Sequence, residues 1–282
     1  MGHGKYSKIA HKRLRKSKGY DTKSRSQIFT SAKIDPEMDP TKIVMRECRD
    51  SEEHPESLAI IVGLDVTGSM GFVPEDIVKN TLPDLVDSII QAGFKDPQIL
   101  FLGLGDFIYD RAPLQAGQFE SSAQLLDRWL TKVYLEGGGG GNNGEAYNLA
   151  YLFGARHTSI DCWEKRKQRG FLFTIGDEPC LPNIPASTIT NLTTAAQAST
   201  VSTQEILQEA QEKYKVYHLH LEHNNSARTD GRKQGWKELL GQNFQIIPDY
   251  KRVAKTIAQI VINDMDKSTN TTSNIDTEEE ML

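Results

Sequence analysis

The residues best suited to chemistry in this sequence are three hard oxygen donors at alternate positions. Asp65, Thr67 and Ser69 stand in the run Asp65-Val66-Thr67-Gly68-Ser69-Met70. In an extended turn, positions i, i+2 and i+4 point to one side. One carboxylate and two hydroxyls therefore surround a common point. These are the donors that Mg2+ prefers, with waters filling the rest of an octahedron, and Mn2+ or Ca2+ take oxygen donors too. Gly68 allows the sharp turn. Asp177, in Gly176-Asp177-Glu178, offers a second carboxylate, directly or through water. A third run, glycines 137–141 followed by Asn142, Asn143, Gly144 and Glu145, adds an amide oxygen from Asn142 or Asn143. Glu145 is placed to cap the next helix.

Three turns share an ion only if a sheet carries them to one edge. LAIIVGL (58–64), QILFLGLGD (98–106) and GFLFTIGDEPC (170–180) contain near-continuous apolar runs, as expected of strands buried on both faces. Helical patterns follow at 74–94, 121–136, 144–157, 204–214, 235–242 and 250–262. Pro74 sits in a first turn, Gly93 is a stop, Pro83 predicts a kink, and Ser121 with Gln124 reads as a capping box. Strands are expected at 215–222 and, on the edges, at 114–119 and 244–248. Residues 182–203 have low propensity for either state. This alternation predicts an α/β fold: a doubly wound, mostly parallel, Rossmann-like sheet flanked by helices. In such sheets the binding site lies at the strand C-termini.

The D-x-T-G-S-M run after an aliphatic strand resembles the metal-ion-dependent adhesion site (MIDAS) of von Willebrand factor type A (vWA) domains. The resemblance spans residues 58–263 and takes in the loop around Asp177 and the segment 236–244. It implies that Thr67 and Ser69 bind Mg2+ through their hydroxyls, and that Asp65 and Asp177 bind directly or through bridging water. It also implies one coordination position left for a carboxylate from a partner protein. On that basis the chain is expected to bind rather than catalyse. Two features depart from the family pattern. Asn142 and Asn143 stand where the family offers a threonine or an acid, and T-I-G-D-E replaces T-D-G.

Composition sets the outer bounds. The chain has 282 residues, 38% hydrophobic and 25% charged, enough for one sizeable core. Its longest unbroken apolar stretch is too short to cross a bilayer, and the basic N-terminus has no apolar leader segment. Cys48, Cys162 and Cys180 are too few and scattered for a disulfide framework. A cytoplasmic setting is expected. The net charge of −5 hides a polarity: residues 1–33 hold ten Lys or Arg against Asp21 alone, about +9, and the remaining 23 basic and 37 acidic residues give −14. The expected organisation is a basic arm and linker over 1–57, disordered or wrapping the domain, a vWA-like domain over 58–263, and an acidic tail over 264–282.

Two other functions compete with adhesion. Asp65-Val66-Thr67-Gly68-Ser69 also resembles the aspartyl-phosphate motif of haloacid-dehalogenase-like enzymes, which implies a nucleophilic Asp65 and a metal-binding Asp177. Alternatively, residues 1–33 contact nucleic-acid phosphates and the domain recruits a partner. His218, His220 and His223 form H-x-H-x-x-H, which reads as half-buried polar groups on a strand in preference to a transition-metal site.

Overall fold

The computed structural model describes residues 4–94, 96–135, 144–193, 198–224 and 227–264. Strand β1 (Leu58–Asp65) explains the architecture. All eight of its residues are buried. Leu58, Ile60, Val62 and Leu64 enter one apolar cluster, and Ala59 and Ile61 enter the other. A strand that is apolar on both sides needs a cover on each, and each buried Leu, Ile or Val contributes about 2 kcal/mol.

The other sheet strands are β2 (Pro97–Leu104), β3 (Leu114–Ala116), β4 (Gly170–Gly176), β5 (Tyr214–Leu221) and β6 (Phe244–Ile247). Their order is β6-β5-β4-β1-β2-β3. All pairings are parallel except β2 with β3. This is the doubly wound, Rossmann-like arrangement that the sequence pattern predicts. The register sets Asp65 opposite Leu104, and Leu64 opposite Ile175. The ends of β1, β2 and β4 therefore come level, and their loops leave from one edge.

Among the described residues the longer helices of the outer layers are α1 (Lys8–Lys18), α2 (Leu82–Gln91), α3 (Ala123–Lys132), α4 (Asn148–Arg156), α5 (Thr203–Lys213), α6 (Asp230–Leu240) and α7 (253–264). Leu85 of α2, Leu130 of α3 and Ile257 of α7 cover one face. Phe153 of α4, Leu207 of α5 and Trp236 of α6 cover the other. The kink expected at Pro83 is a π-helical turn over Ile77–Thr81, just before α2. Proline lacks the N–H that an α-helical ladder needs, and a wider turn absorbs the break.

Three expectations about helix starts are corrected. The N-cap of α3 is Ser122, whose side chain accepts from Leu125 N; Ser121 points elsewhere. Glu145 does not cap α4, which starts at Asn148; its backbone pairs with Pro179 and Leu181. Helix α6 starts at Asp230, one and a half turns before the expected 235, in a polar stretch without apolar period. Residues 182–203 hold a helix (Ala186–Leu192) and a two-residue antiparallel pair, Asn183–Ile184 with Val201–Ser202.

The described part of residues 1–57 lies against the rest of the chain. Ser7 caps α1 by accepting from Ala10 N, and Gly19 closes it at φ 67°. Tyr20, Ile28, Phe29 and Met38 join the apolar cluster on the α2–α3 face. The charges dock as well. Lys8 reaches Asp87 at 3.1 Å, Lys18 pairs with Asp127, and Tyr20 donates to Asp127 at 2.8 Å. Farther on, Arg46–Cys48 pairs in parallel with Thr158–Ile160. The basic strap thus lies on acidic groups of the same chain.

Candidate metal centre

Strand β1 ends on Asp65, which is fully buried. Its Oδ1 accepts from Thr67 N at 2.9 Å and Thr67 Oγ1 at 2.6 Å. Thr67 Oγ1 lies 3.2 Å from Ser69 Oγ, and Ser69 Oγ donates to Asp177 Oδ1 at 2.8 Å. Four of the residues singled out in the sequence, Asp65, Thr67, Ser69 and Asp177, therefore form one continuous chain of oxygens. Asn142 and Asn143 lie outside the described residues.

Further groups converge on this chain that sequence reasoning missed. Tyr147 donates to Asp65 Oδ2 at 2.7 Å. It fits because residue 176 is glycine: a Cβ there would stand 1.9 Å from the Tyr147 hydroxyl oxygen. Asn224 donates to Asp177 Oδ2 at 2.7 Å, and His223 Nε2 lies 2.9 Å from the Ser69 carbonyl. Asp106, two residues past β2, accepts from Ile108 N with Oδ1, while its Oδ2 has no partner. Glu145 Oε2 is likewise buried without a partner. Asp106 had a readable signal, since it closes an aliphatic run as Asp65 does. Tyr147 and Asn224 had none, because long-range packing delivers them.

The electrostatics are one-sided. Burial pushes the Asp65 carboxyl up to about 6, with the Asp177 charge adding and the bonds from Thr67 and Tyr147 opposing. Glu145 is pushed up to about 9 by burial, then by the charges of Asp65, Asp106, Asp110 and Asp177. Among the described residues no Lys or Arg pairs with Asp65, Asp106 or Glu145. Basic groups on the neighbouring acids are His223, 3.8 Å from Asp177 Oδ2, and Arg232, paired with Glu178, and Arg25 bonds the Gly71 carbonyl. Buried carboxylates without a counter-charge are costly, and a bound divalent cation would supply that charge. No group of three His, Cys, Asp or Glu among the described residues is arranged to hold a metal. The donors here are instead two carboxylates and two hydroxyls. They fit a hard, partly hydrated ion held by Asp65, Thr67, Ser69 and Asp177.

The histidines divide. His218 and His220 are fully buried rather than half-buried, and burial holds both imidazoles below their usual range. His218 stacks on Trp236 at 3.6 Å and bonds Thr174 Oγ1 at 2.8 Å. His220 bonds the Ala227 carbonyl. His223 alone turns to the oxygen chain.

The chain matches no family model and no curated protein. Among solved structures it is similar to the pilus adhesin SpaC of Lactobacillus rhamnosus GG, with 10% identity over 76% of this chain and 31% of the adhesin, at a TM-score of 0.48. It is also similar to a von Willebrand factor type A protein from Catenulispora acidiphila (12% identity, 73% of this chain, 42% of that one, TM-score 0.40). A third is an aerotolerance-related membrane protein from Bacteroides fragilis (12% identity, 73% of this chain, 99% of that one, TM-score 0.42). The chain spans about a third of the adhesin's length. Likenesses this distant say nothing of function, and the fold assignment rests on the strand order and register given above. No helix among the described residues is long and apolar enough to cross a membrane.

Proposed function

We propose that this chain is a metal-dependent protein-interaction module. Mg2+, or Mn2+ or Ca2+ in its place, is held by Thr67, Ser69, Asp65 and Asp177, and a partner protein's acidic side chain takes the remaining position. The observation that carries this reading is the continuous Asp65–Thr67–Ser69–Asp177 oxygen chain, beside further buried acids that have no Lys or Arg partner among the described residues. A second feature supports it. Phe72, Ile108 and Tyr109 are exposed, on the loops that leave β1 and β2 at this same edge. Exposed large apolar side chains beside a polar site suit docking of a protein surface. Binding is favoured over an aspartyl-phosphate mechanism because both Asp65 oxygens already accept hydrogen bonds within a fully buried site. The nucleic-acid reading gains nothing from the strap, where Lys8, Arg15 and Lys18 pair with acids of the chain itself.

The test is capture of partners by the wild-type chain with Mg2+ and with chelator, beside an Asp65→Ala chain. Capture of one acidic partner in Mg2+ alone, and by wild type alone, is expected. Capture unaffected by both chelator and the substitution would remove the metal from the account.

A further inference from the structure

At the opposite edge, where β1 and β2 begin, lies a polar cluster that the candidate metal centre does not use. His54 Nδ1 is 3.2 Å from Asp96 Oδ1, and His54 Nε2 is 3.1 Å from Ser121 Oγ. The three residues are buried, at 1%, 3% and 3% exposed for His54, Asp96 and Ser121. A hydroxyl, an imidazole and a carboxylate in that order, each about 2.6–3.2 Å from the next, form the relay that makes a serine nucleophilic.

Three segments hold the groups in place. Ser51 and His54 exchange backbone bonds of 2.9 and 3.1 Å, which fixes the histidine's loop. Asp96 directly precedes β2. Ser121 directly precedes Ser122, the N-cap of the ten-residue α3. A cavity of about 90 Å3 adjoins the cluster, lined in part by Lys5, Tyr6, His54, Asp96 and Ser121.

The strap decides where the serine proton goes. A hydroxyl has one proton, and Ser121 Oγ donates it to the Gly4 carbonyl at 2.7 Å. Gly4 N is tied to Glu53 Oε2 at 3.1 Å, and Lys8 to Asp87 at 3.1 Å. With the strap seated, the Ser121 proton faces away from the histidine. With residues 4–6 lifted, the hydroxyl has His54 Nε2 as its remaining acceptor and the cavity opens.

We propose that Ser121, His54 and Asp96 form a latent nucleophilic triad that takes an acyl group from a small activated ester when the strap lifts. Ser121 Oγ bonds to the carbonyl carbon and its proton passes to His54 Nε2. The bond to the alcohol breaks, and the leaving oxygen takes that proton. Water then attacks the Ser121 ester with His54 as base, releasing a carboxylic acid and restoring the serine. The net change is ester plus water to acid plus alcohol. Asp96 acts as a positioning residue for the imidazole.

The full-length chain is treated with a small fluorophosphonate, and the label is located by peptide mass spectrometry. It is compared with a Glu53→Ala, Lys8→Ala chain, in which the strap is loosened and the triad untouched. Label on Ser121 is expected, faster in the loosened chain. His54→Ala in that background should slow it about a hundredfold. Asp96→Asn should slow it without changing iodoacetamide alkylation of a loosened Ser121→Cys chain, which reports access alone. Hydrolysis of p-nitrophenyl acetate should follow the same order. No label on Ser121 in a loosened chain that retains its thermal transition overturns the proposal. If the introduced thiol is alkylated in that case, the group is open but unreactive; if not, the cluster serves only as the strap's anchor.

Discussion

The two edges of the sheet treat buried carboxylates in opposite ways. At the edge where β1 and β2 begin, the buried Asp96 and Asp161 and the part-buried Asp50 each have a basic partner. Asp50 meets Arg166 at 2.6 Å, Asp161 meets Arg49 at 2.8 Å and Lys165 at 2.6 Å, and Asp96 meets His54. Burial works to raise the carboxyls of Asp50 and Asp161, yet bonds from Ser57 and Arg166, and from Lys165 and Arg49, outweigh it and hold both below the ordinary range. At the edge where the strands end, burial and neighbouring negative charge outweigh the bonds that Asp65 accepts from Thr67 and Tyr147, and Asp65 and Glu145 are held above it. Asp50 and Asp161 have Arg and Lys partners at one edge, whereas among the described residues Asp65 and Glu145 have none at the other. That difference is what the proposed cation site rests on.

The largest effect on folding is expected from Gly176→Ala. Its Cβ must displace the Tyr147 hydroxyl, with overpacking and a lost hydrogen bond together costing about 3 kcal/mol. Urea unfolding measures it; a cost under about 1 kcal/mol would mean that Tyr147 is not held against Asp65. Next comes Arg166→Ala at the edge where β1 and β2 begin, which strips the part-buried Asp50 of its closest cation. We expect about 2 kcal/mol of destabilisation, insensitive to Mg2+. Sensitivity to Mg2+ would blur the distinction between the edges.

The pH profile separates the edges by sign. Asp50 and Asp161 have folded values below their unfolded values near about 4, so their stability is present above that pH and is lost as pH falls through the folded values. Asp65 and Glu145 have folded values above the unfolded ones, so stability is lost as pH rises through about 6 and about 9. Thermal midpoints from acid to alkaline pH should fall on both sides, and Mg2+ should lift the alkaline limb alone. An acid limb lifted equally would contradict the comparison. The smallest effect on folding is expected from Ile108→Ser with Tyr109→Ser. Both residues are exposed, so stability should stay within about 0.5 kcal/mol, while metal-dependent partner capture weakens. Unchanged capture would remove these residues from the docking surface.

Much of this was legible in local sequence. The aliphatic runs at 58–64, 98–106 and 170–180 became β1, β2 and β4, and the alternate oxygens of residues 65–69 lie in one hydrogen-bonded run with Asp177, which leaves the end of β4. Local pattern reaches that far because a doubly buried strand and an i, i+2, i+4 turn are set by neighbouring residues. The remainder depends on distant partners. Helix α1 carries no apolar period, and its docking comes from Lys8 and Lys18 finding Asp87 and Asp127. Tyr147 reaches Asp65 only because Gly176, 29 positions later, leaves room. Ser121 looked like a cap, and Ser122 took the role because His54 and Gly4 engage Ser121.

The central claim is that the edge where the strands end binds a divalent cation through Asp65. Calorimetric titration of the wild-type chain and of an Asp65→Ala chain with MgCl2 tests it most directly, with circular dichroism confirming that both are folded. Saturable binding at one site in the wild type and none in the variant is the predicted result. Equal Mg2+ affinity in the two chains would contradict it.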